Sequence, residues 1–331
     1  MLVNASLNRA LHSLLGEGDV VLIGEDISDP YGGAFKVTKG LSTSFPEKVY
    51  SSPISEAGIT GLATGLSMMG YRPIVEIMFG DFLLLAADQI VNYLSKFHLL
   101  QKEFKPVSLV IRTPMGAGRG YGPTHSQSLE RHFFGVDGIS VWSLNMFSDA
   151  GVELIRAINA DTPVLFIEQK VLYGAENQYN NISESAELAS FGASITSYRP
   201  SSNASTDFQL VTYGAMSKIG FEVVNRLSQD EGINGQLIVP TILSPIDGQV
   251  IEALQNGSDI VVFLEESKSE FGFSAEICAL LGSHGRKRCF RIGSTSTLLP
   301  ASRKLEDLVI PTKESVYERI IEILEGVINE F

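Results

Sequence analysis

Short runs of consecutive apolar residues alternate along this chain with longer stretches in which apolar residues return at helical spacing. Val20-Val21-Leu22-Ile23 reads as a buried strand ending at Gly24. Residues 55–70 read as a helix rich in glycine and alanine, a composition that lets a neighbour pack closely. Ile74-Val75-Glu76-Ile77-Met78 is the next strand, and residues 83–100 predict a longer helix. Val107-Ser108-Leu109-Val110-Ile111 and Pro163-Val164-Leu165-Phe166-Ile167 supply two further strands. Apolar strands alternating with helices predict an α/β layer around a mostly parallel sheet.

The pattern is interrupted at Tyr198-Arg199-Pro200-Ser201-Ser202-Asn203-Ala204-Ser205, a polar stretch of turn-forming residues. A second α/β unit begins beyond it, at Phe208-Gln209-Leu210-Val211-Thr212-Tyr213-Gly214. Its clearest buried strand lies in Asp259-Ile260-Val261-Val262-Phe263-Leu264-Glu265-Glu266. Residues 313–329 predict an amphipathic terminal helix with Val316, Ile320, Ile323 and Leu324 on one face. The expected division is a first domain over 1–198, a linker over 199–206 and a smaller second domain over 207–331. A chain of 331 residues is long enough for two separate cores.

Composition narrows the partners. A net charge of -13 argues against nucleic acid and against an anionic membrane surface, both of which call for clustered Lys and Arg. No run approaches the roughly 20 apolar residues needed to span a bilayer. The start, Met1-Leu2-Val3-Asn4-Ala5-Ser6, carries no targeting pattern. Two cysteines, Cys278 and Cys289, make neither a disulfide framework nor a CxxC pair, so a reducing cytoplasm is the expected setting. The five histidines, His12, His98, His125, His132 and His284, are scattered without metal-ligand spacing.

Chemistry concentrates in two tracts. Pro53-Ile54-Ser55-Glu56-Ala57-Gly58-Ile59-Thr60-Gly61 places a carboxylate in the opening turn of the small-residue helix. Thr124-His125-Ser126-Gln127-Ser128 places an imidazole after the loop Gly116-Ala117-Gly118-Arg119-Gly120-Tyr121-Gly122. That loop fails as a dinucleotide fingerprint, because its glycines alternate singly and no helical pattern follows. Its four glycines permit positive φ, as a mobile or substrate-contacting loop requires. Each tract has a plain reading too: the helix macrodipole alone favours an acid in the first turn, and loops commonly carry histidine.

Taken together, and with Gly24-Glu25-Asp26, Tyr31-Gly32-Gly33-Ala34-Phe35-Lys36-Val37, Arg72-Pro73-Ile74-Val75-Glu76 and Ala87-Asp88-Gln89-Ile90-Val91-Asn92, the tracts resemble the β subunit of thiamine-dependent 2-oxo-acid dehydrogenases, the decarboxylase component. The resemblance runs through the first 180 or so residues. It implies a transketolase-like pyrimidine-binding domain followed by a smaller transketolase-type C-terminal α/β domain. It also implies thiamine diphosphate as cofactor, which carries the difficult chemistry while the protein tunes and positions it.

By that resemblance, Glu56 matches the glutamate that hydrogen-bonds the aminopyrimidine ring and promotes loss of the thiazolium proton. Phe82 matches the aromatic residue packed on the pyrimidine, with Ile54 and Met78 lining the same pocket; as a bare sequence feature Phe82 is equally a core phenylalanine. Glu25 matches an acid of the proton path between paired sites, or else is an exposed acid at a strand end. His125 matches the histidine placed to contact the 2-oxo acid or the covalent intermediate, work that suits an imidazole. Leu109, Ala157, Ile158, Ala160 and Thr162 match positions whose backbone carbonyls hold a potassium ion in some relatives.

The family holds the diphosphate through Mg²⁺ on a Gly-Asp-Gly…Asn motif of the other subunit, and no Gly-Asp-Gly occurs in this chain. The resemblance therefore implies an α-type decarboxylase subunit and a second copy of this chain, in a heterotetramer, with a lipoyl acyltransferase as a further partner. The second domain departs from the pattern. Val239-Pro240-Thr241-Ile242-Leu243-Ser244-Pro245-Ile246-Asp247 lacks the family's arginine, Phe271-Gly272-Phe273-Ser274-Ala275-Glu276-Ile277 replaces its Gly-Gly-Phe-Gly-Ala-Glu-Ile, and Gly293-Ser294-Thr295-Ser296-Thr297 lacks the usual acid. These departures keep two alternatives open: a thiamine-dependent carboligase or transketolase-like subunit using another acceptor, and a non-catalytic assembly subunit.

Overall fold

The computed structural model describes residues 1–100, 107–176, 186–191, 194–201, 204–283, 285, 287–295 and 298–328. Ser202 and Asn203 of the expected linker, His284, and Ser296-Thr297 lie outside the described residues. The chain divides into two compact units, the first over 1–116, 127–144 and 148–177, the second over 117–126, 145–147 and 178–331.

In the first unit, helix α1 (Val3–Leu15) precedes β1 (Val20–Glu25), the short α2 (Leu41–Ser44), β2 (Val49–Ser52), α3 (Glu56–Met68) and β3 (Arg72–Glu76). A helical segment ending in α4 (Ser95–Leu100) leads to β4 (Val110–Met115), β5 (Ser140–Ser143), α5 (Ala150–Ile158) and β6 (Val164–Gln169). The strands lie in the order β5-β6-β4-β3-β1-β2, and every neighbouring pair is parallel. All carboxyl ends therefore share one edge, where ligands of open α/β sheets bind. The core against this sheet is built from Val21, Ile23, Val75, Ile111, Leu165 and Ile167 of the strands and Ile59 and Ala63 of α3.

The helix expected over 83–100 is one winding in three pitches: 3-10 over Gly80–Ala86, π over Gln89–Leu94 and α only over Ser95–Leu100. The buried positions explain the change. Gly80, Leu83 and Ala86 recur every three residues, the period of a 3-10 helix, whereas Ile90 and Leu94 follow at intervals of four.

In the second unit, β7 (Glu187–Phe191), β8 (Ile195–Arg199), β9 (Phe208–Thr212), α6 (Met216–Asp230), β10 (Gly235–Pro240), β11 (Ile242–Ser244), α7 (Gly248–Gln255), β12 (Ile260–Leu264), α8 (Phe273–Gly282), β13 (Arg288–Ile292), α9 (Arg303–Glu306) and α10 (Lys313–Ile328) follow in turn. The sheet order is β13-β12-β9-β10-β8-β7. The first four strands are parallel, β8 adds antiparallel to β10, and β7 adds antiparallel to β8 at the edge. Strands β7 and β8 thus belong to the second sheet although they precede the expected 199–206 linker. The polar stretch begins at the end of β8 and runs on to β9, within one sheet. Of the terminal helix, Val316 and Ile320 are fully buried, with Ile323 and Leu324 nearly so. No helix among the described residues is long and apolar enough to cross a membrane.

Candidate active site at the carboxyl edge of the first sheet

The site begins where β1 ends. Asp26 takes a left-handed conformation, φ 54°, which aspartate tolerates better than most side chains, and turns the chain out of the sheet. Glu25, the last strand residue, is 5% exposed, and its Oε1 accepts the backbone N–H of Ser55 at 2.9 Å. Ser55 is the N-cap of α3; its Oγ accepts the N–H of Gly58 at 3.2 Å. Glu56 is therefore the first residue of the helix, where the macrodipole favours negative charge.

Glu56 is also 5% exposed, and its carboxylate accepts no hydrogen bond from any described residue. It heads the buried face of α3, with Ile59, Thr60, Ala63, Thr64 and Ser67 following at helical spacing. Burial pushes the Glu25 carboxyl above its ordinary range; the Ser55 amide opposes the shift, and the charges of Glu56 and Asp26 add to it. Three acids thus converge where β1 hands over to α3.

The aromatic side of the site follows β3. Phe82 is half-buried and packs on the core, its ring edge-to-face with Phe79 at 5.7 Å. Phe79 meets Phe35 at 5.6 Å, and Phe35 meets Tyr173 at 5.2 Å, a run of four rings. Met78 is half-buried two residues beyond β3, whereas Ile54 stands 83% exposed beside the Ser55 cap. The ring run suits a flat apolar heterocycle, and Glu56 supplies a buried acceptor that such a ring could satisfy. The residues present fit a thiamine pyrimidine.

Beneath this edge lies an ionic cluster that sequence reading did not single out. Glu76 and Arg112 are register partners on β3 and β4, so their side chains share a face of the sheet. Glu168 lies two residues beyond Phe166, the partner of Arg112, and so joins the same face. Arg112 Nη1 donates to Glu76, while its Nε and Nη2 fork onto Glu168 at 2.7 and 2.6 Å, and the Tyr173 hydroxyl donates to Glu168 at 2.7 Å. All four residues are less than 6% exposed. Burial pushes Glu76 up against the pull of Arg112, and the two carboxylates outweigh burial in keeping Arg112 protonated. The signal was present: charged residues directly following apolar strand runs, Glu76 and Arg112 in register and Glu168 two residues further along.

His125 belongs to the second unit. It is half-buried; its backbone N–H donates to Gly122 O at 3.3 Å, and its Nδ1 lies 2.9 Å from Thr124 Oγ1. Gly116, Gly118, Gly120 and Gly122 all have positive φ, from 71° to 96°. The loop expected to be mobile or to touch substrate is pinned at two backbone amides, Ala117 to Glu266 Oε1 and Gly120 to Glu306 Oε2, both at 2.9 Å.

The family model described as the transketolase pyrimidine-binding domain matches residues 2–176, and the transketolase C-terminal domain matches residues 200–316. Pyruvate dehydrogenase E1 component subunit beta-1, mitochondrial, of Arabidopsis thaliana is 32% identical over 322 residues, covering 96% of this chain and 87% of that protein. The chain belongs to the β-subunit family of thiamine-dependent 2-oxo-acid dehydrogenases. Another relative, acetoin:2,6-dichlorophenolindophenol oxidoreductase subunit beta of Cupriavidus necator, is 30% identical and covers 98% of this chain and 97% of that one. A solved split-gene transketolase, an inactive beta4 tetramer, matches with a TM-score of 0.75 at 18% identity over 98% of both chains, a likeness of fold alone.

The five carbonyl positions of this β-subunit chain gather at the opposite, amino edge of the first sheet. Leu109 O accepts the N–H of Val164 at 2.9 Å, Ala157 O accepts that of Ala160 at 3.2 Å, and the Ser108 hydroxyl donates to Ile158 O. Ala160 and Thr162 lie in the turn that links α5 to β6. In the second unit, the divergent Val239–Asp247 tract still ends in a helix cap: Asp247 accepts the N–H of Gln249 at 2.8 Å and the Ser194 hydroxyl at 3.1 Å.

Proposed function

We propose that this chain is the β half of a thiamine diphosphate-dependent 2-oxo-acid decarboxylase, completed by an α-type subunit that carries the Mg²⁺ and diphosphate site, in an assembly with two copies of each chain. The observation that carries the reading is Glu56: a buried carboxylate, heading a capped helix at the carboxyl edge of a parallel sheet, with no donor among the described residues. When bound, thiamine diphosphate would supply a nucleophilic carbon and an electron sink for the pair left behind when carbon dioxide departs.

Glu56 would bind the pyrimidine ring nitrogen and hold the proton shared there. Glu25, fixed through the Ser55 amide, would set the charge beside Glu56 and pass protons along the edge. Phe82 and the rings behind it would orient the pyrimidine and exclude water, with Met78 and Ile54 covering its remaining face. His125 would contact the substrate carboxylate or the bound acyl unit during its transfer to a lipoyl group, whose disulfide accepts the electrons.

Leu109, Ala157, Ile158, Ala160 and Thr162 would offer carbonyl oxygens to a potassium ion. Carbonyls in the last turn of α5 carry partial negative charge, and each carbonyl already used retains a second lone pair. A reducing cytoplasm suits the two unpaired thiols, Cys278 and Cys289.

Calorimetry tests the half-site. Thiamine diphosphate with Mg²⁺ should bind weakly to this chain alone and tightly once the α-type subunit is added, with 2-oxo-acid turnover appearing only in the mixture. Micromolar binding to the isolated chain would overturn the reading.

A further inference from the structure

Glu306 is 0% exposed, and it sits at the end of the four-residue helix α9. One oxygen, Oε2, accepts the N–H of Gly120 at 2.9 Å; the other, Oε1, is buried and accepts nothing among the described residues. Burying a carboxylate is costly, and one amide is a small return for it. The economy of the fold does not account for this residue. What it holds does.

Four of the seven residues of the Gly116–Gly122 loop are glycines, which have no side chain to fix their place. Its backbone lies directly on α9 and the turn before it: a Cβ on Gly120 would come within 3.0 Å of the Arg303 nitrogen, and one on Gly122 within 3.2 Å of the Ala301 Cβ. At these two glycines only backbone groups can be gripped. Two carboxylates of the second unit grip them, Glu266 just beyond β12 at Ala117 and Glu306 at Gly120. Two residues past Gly120, the Gly122 carbonyl receives the backbone N–H of His125. The path from Glu306 to His125 is thus one hydrogen bond, the backbone from Gly120 through Tyr121 to Gly122, and a second hydrogen bond.

We infer that Glu306 is a positioning residue for His125: by holding the Gly120 amide it fixes the loop that sets where the imidazole meets substrate. This rests on the reading that His125 serves acyl transfer. A misplacement of about 1 Å can cost on the order of 10²-fold in rate without touching the reacting groups. Ala117, Gly120 and His125 belong to the same unit as both anchors.

The test uses the chain assembled with its α-type subunit, thiamine diphosphate and Mg²⁺. Substrates are pyruvate, branched 2-oxo acids and acetoin, taking whichever turns over fastest, with free lipoamide as acceptor. Acyl transfer is compared with hydrogen–deuterium exchange at the thiazolium carbon, a step that does not call on His125. Glu306→Ala should lower kcat for transfer by about 10- to 100-fold with exchange unchanged. Glu306→Gln, whose amide oxygen still accepts from Gly120, should restore most of the transfer. Combined with His125→Ala, the Glu306→Ala change should cost nothing further, because both act through one imidazole.

Normal transfer in Glu306→Ala, an equal loss of exchange, or an additive loss in the double variant would each overturn the inference. If Glu306→Ala does not assemble, Glu306→Asp carries the test: it keeps the charge but falls one methylene short, and its transfer should lie between the wild type and His125→Ala. Normal transfer in His125→Ala itself would instead sink the role given to His125. The two failures are distinguishable.

Discussion

The backbone amide of Ser55 donates to Oε1 of Glu25 at 2.9 Å, so the last residue of β1 grips the cap of α3. That bond satisfies an amide at the helix entrance and fixes the direction in which Glu56 leaves the first turn. It also buries Glu25 beside two other acids, which raises its pKa.

Glu25 should leave a mark on stability as a function of pH. Its folded pKa lies above the ordinary value of 4.5, so the folded state holds the proton more tightly than the unfolded one. The stabilising contribution is full below the ordinary value and is lost as pH rises through the folded pKa. Glu25→Gln removes this dependence while keeping an acceptor for Ser55. Urea midpoints measured from pH 4 to 8 should show the difference between variant and wild type growing in the variant's favour as pH rises. A difference independent of pH would refute the assignment.

Arg112 holds two buried carboxylates, and removing one member of such a set leaves an uncompensated charge. Arg112→Met should therefore destabilise the protein by about 3–5 kcal/mol, the cost of breaking a buried pair. Adding Glu168→Gln to that variant should recover part of the loss, because it neutralises one stranded carboxylate. Denaturant titration of the single and double variants reads both. A double variant less stable than Arg112→Met would contradict the electrostatic account.

The fold was legible where burial is uniform. Val20–Ile23, Ile74–Val75, Val110–Ile111 and Val164–Ile167 are apolar runs, and all lie in parallel strands of one sheet. The 80–100 segment was not legible as three helical pitches, because apolar periods of three and four look alike over so few residues. Strands β7 and β8 lack a continuous apolar run, since they form the sheet's antiparallel side and edge; their membership is set by the pairing of β8 with β10 and of β7 with β8. Within the site, the Pro53–Gly61 tract announced an acid in a helix's opening turn, but the bond from Ser55 to Glu25 spans thirty residues and no local pattern encodes it. Glu306 was invisible for the same reason.

Two glycines should respond differently to alanine. Gly32 has φ 67°, and a Cβ there would meet the Lys39 backbone at 2.5 Å; Gly40 has φ 84° but open space around it. Gly40→Ala should cost about 1 kcal/mol from the left-handed backbone alone, and Gly32→Ala clearly more, because rigid backbone must also move. Thermal melts of the two variants rank them. Equal losses would show that the space around Gly32 yields without cost.

The sharpest separation concerns Glu56 and His125, which lie in different units and should fail at different steps. Glu56→Gln keeps the shape of a buried side chain but cannot take up or release a proton. General acid–base assistance is worth ~10²–10⁴-fold, so exchange at the thiazolium carbon in the assembled complex should fall by that order. The Ser55 cap and the Glu25 bond involve other atoms, so assembly and melting temperature should change little. His125→Ala should leave exchange near normal and slow substrate turnover instead, since the role proposed for it begins only after the cofactor carbon is deprotonated. Measuring exchange and turnover on both variants gives a two-by-two outcome. Undiminished exchange in Glu56→Gln would remove the carboxylate from proton transfer and leave it only a packing role at the head of α3.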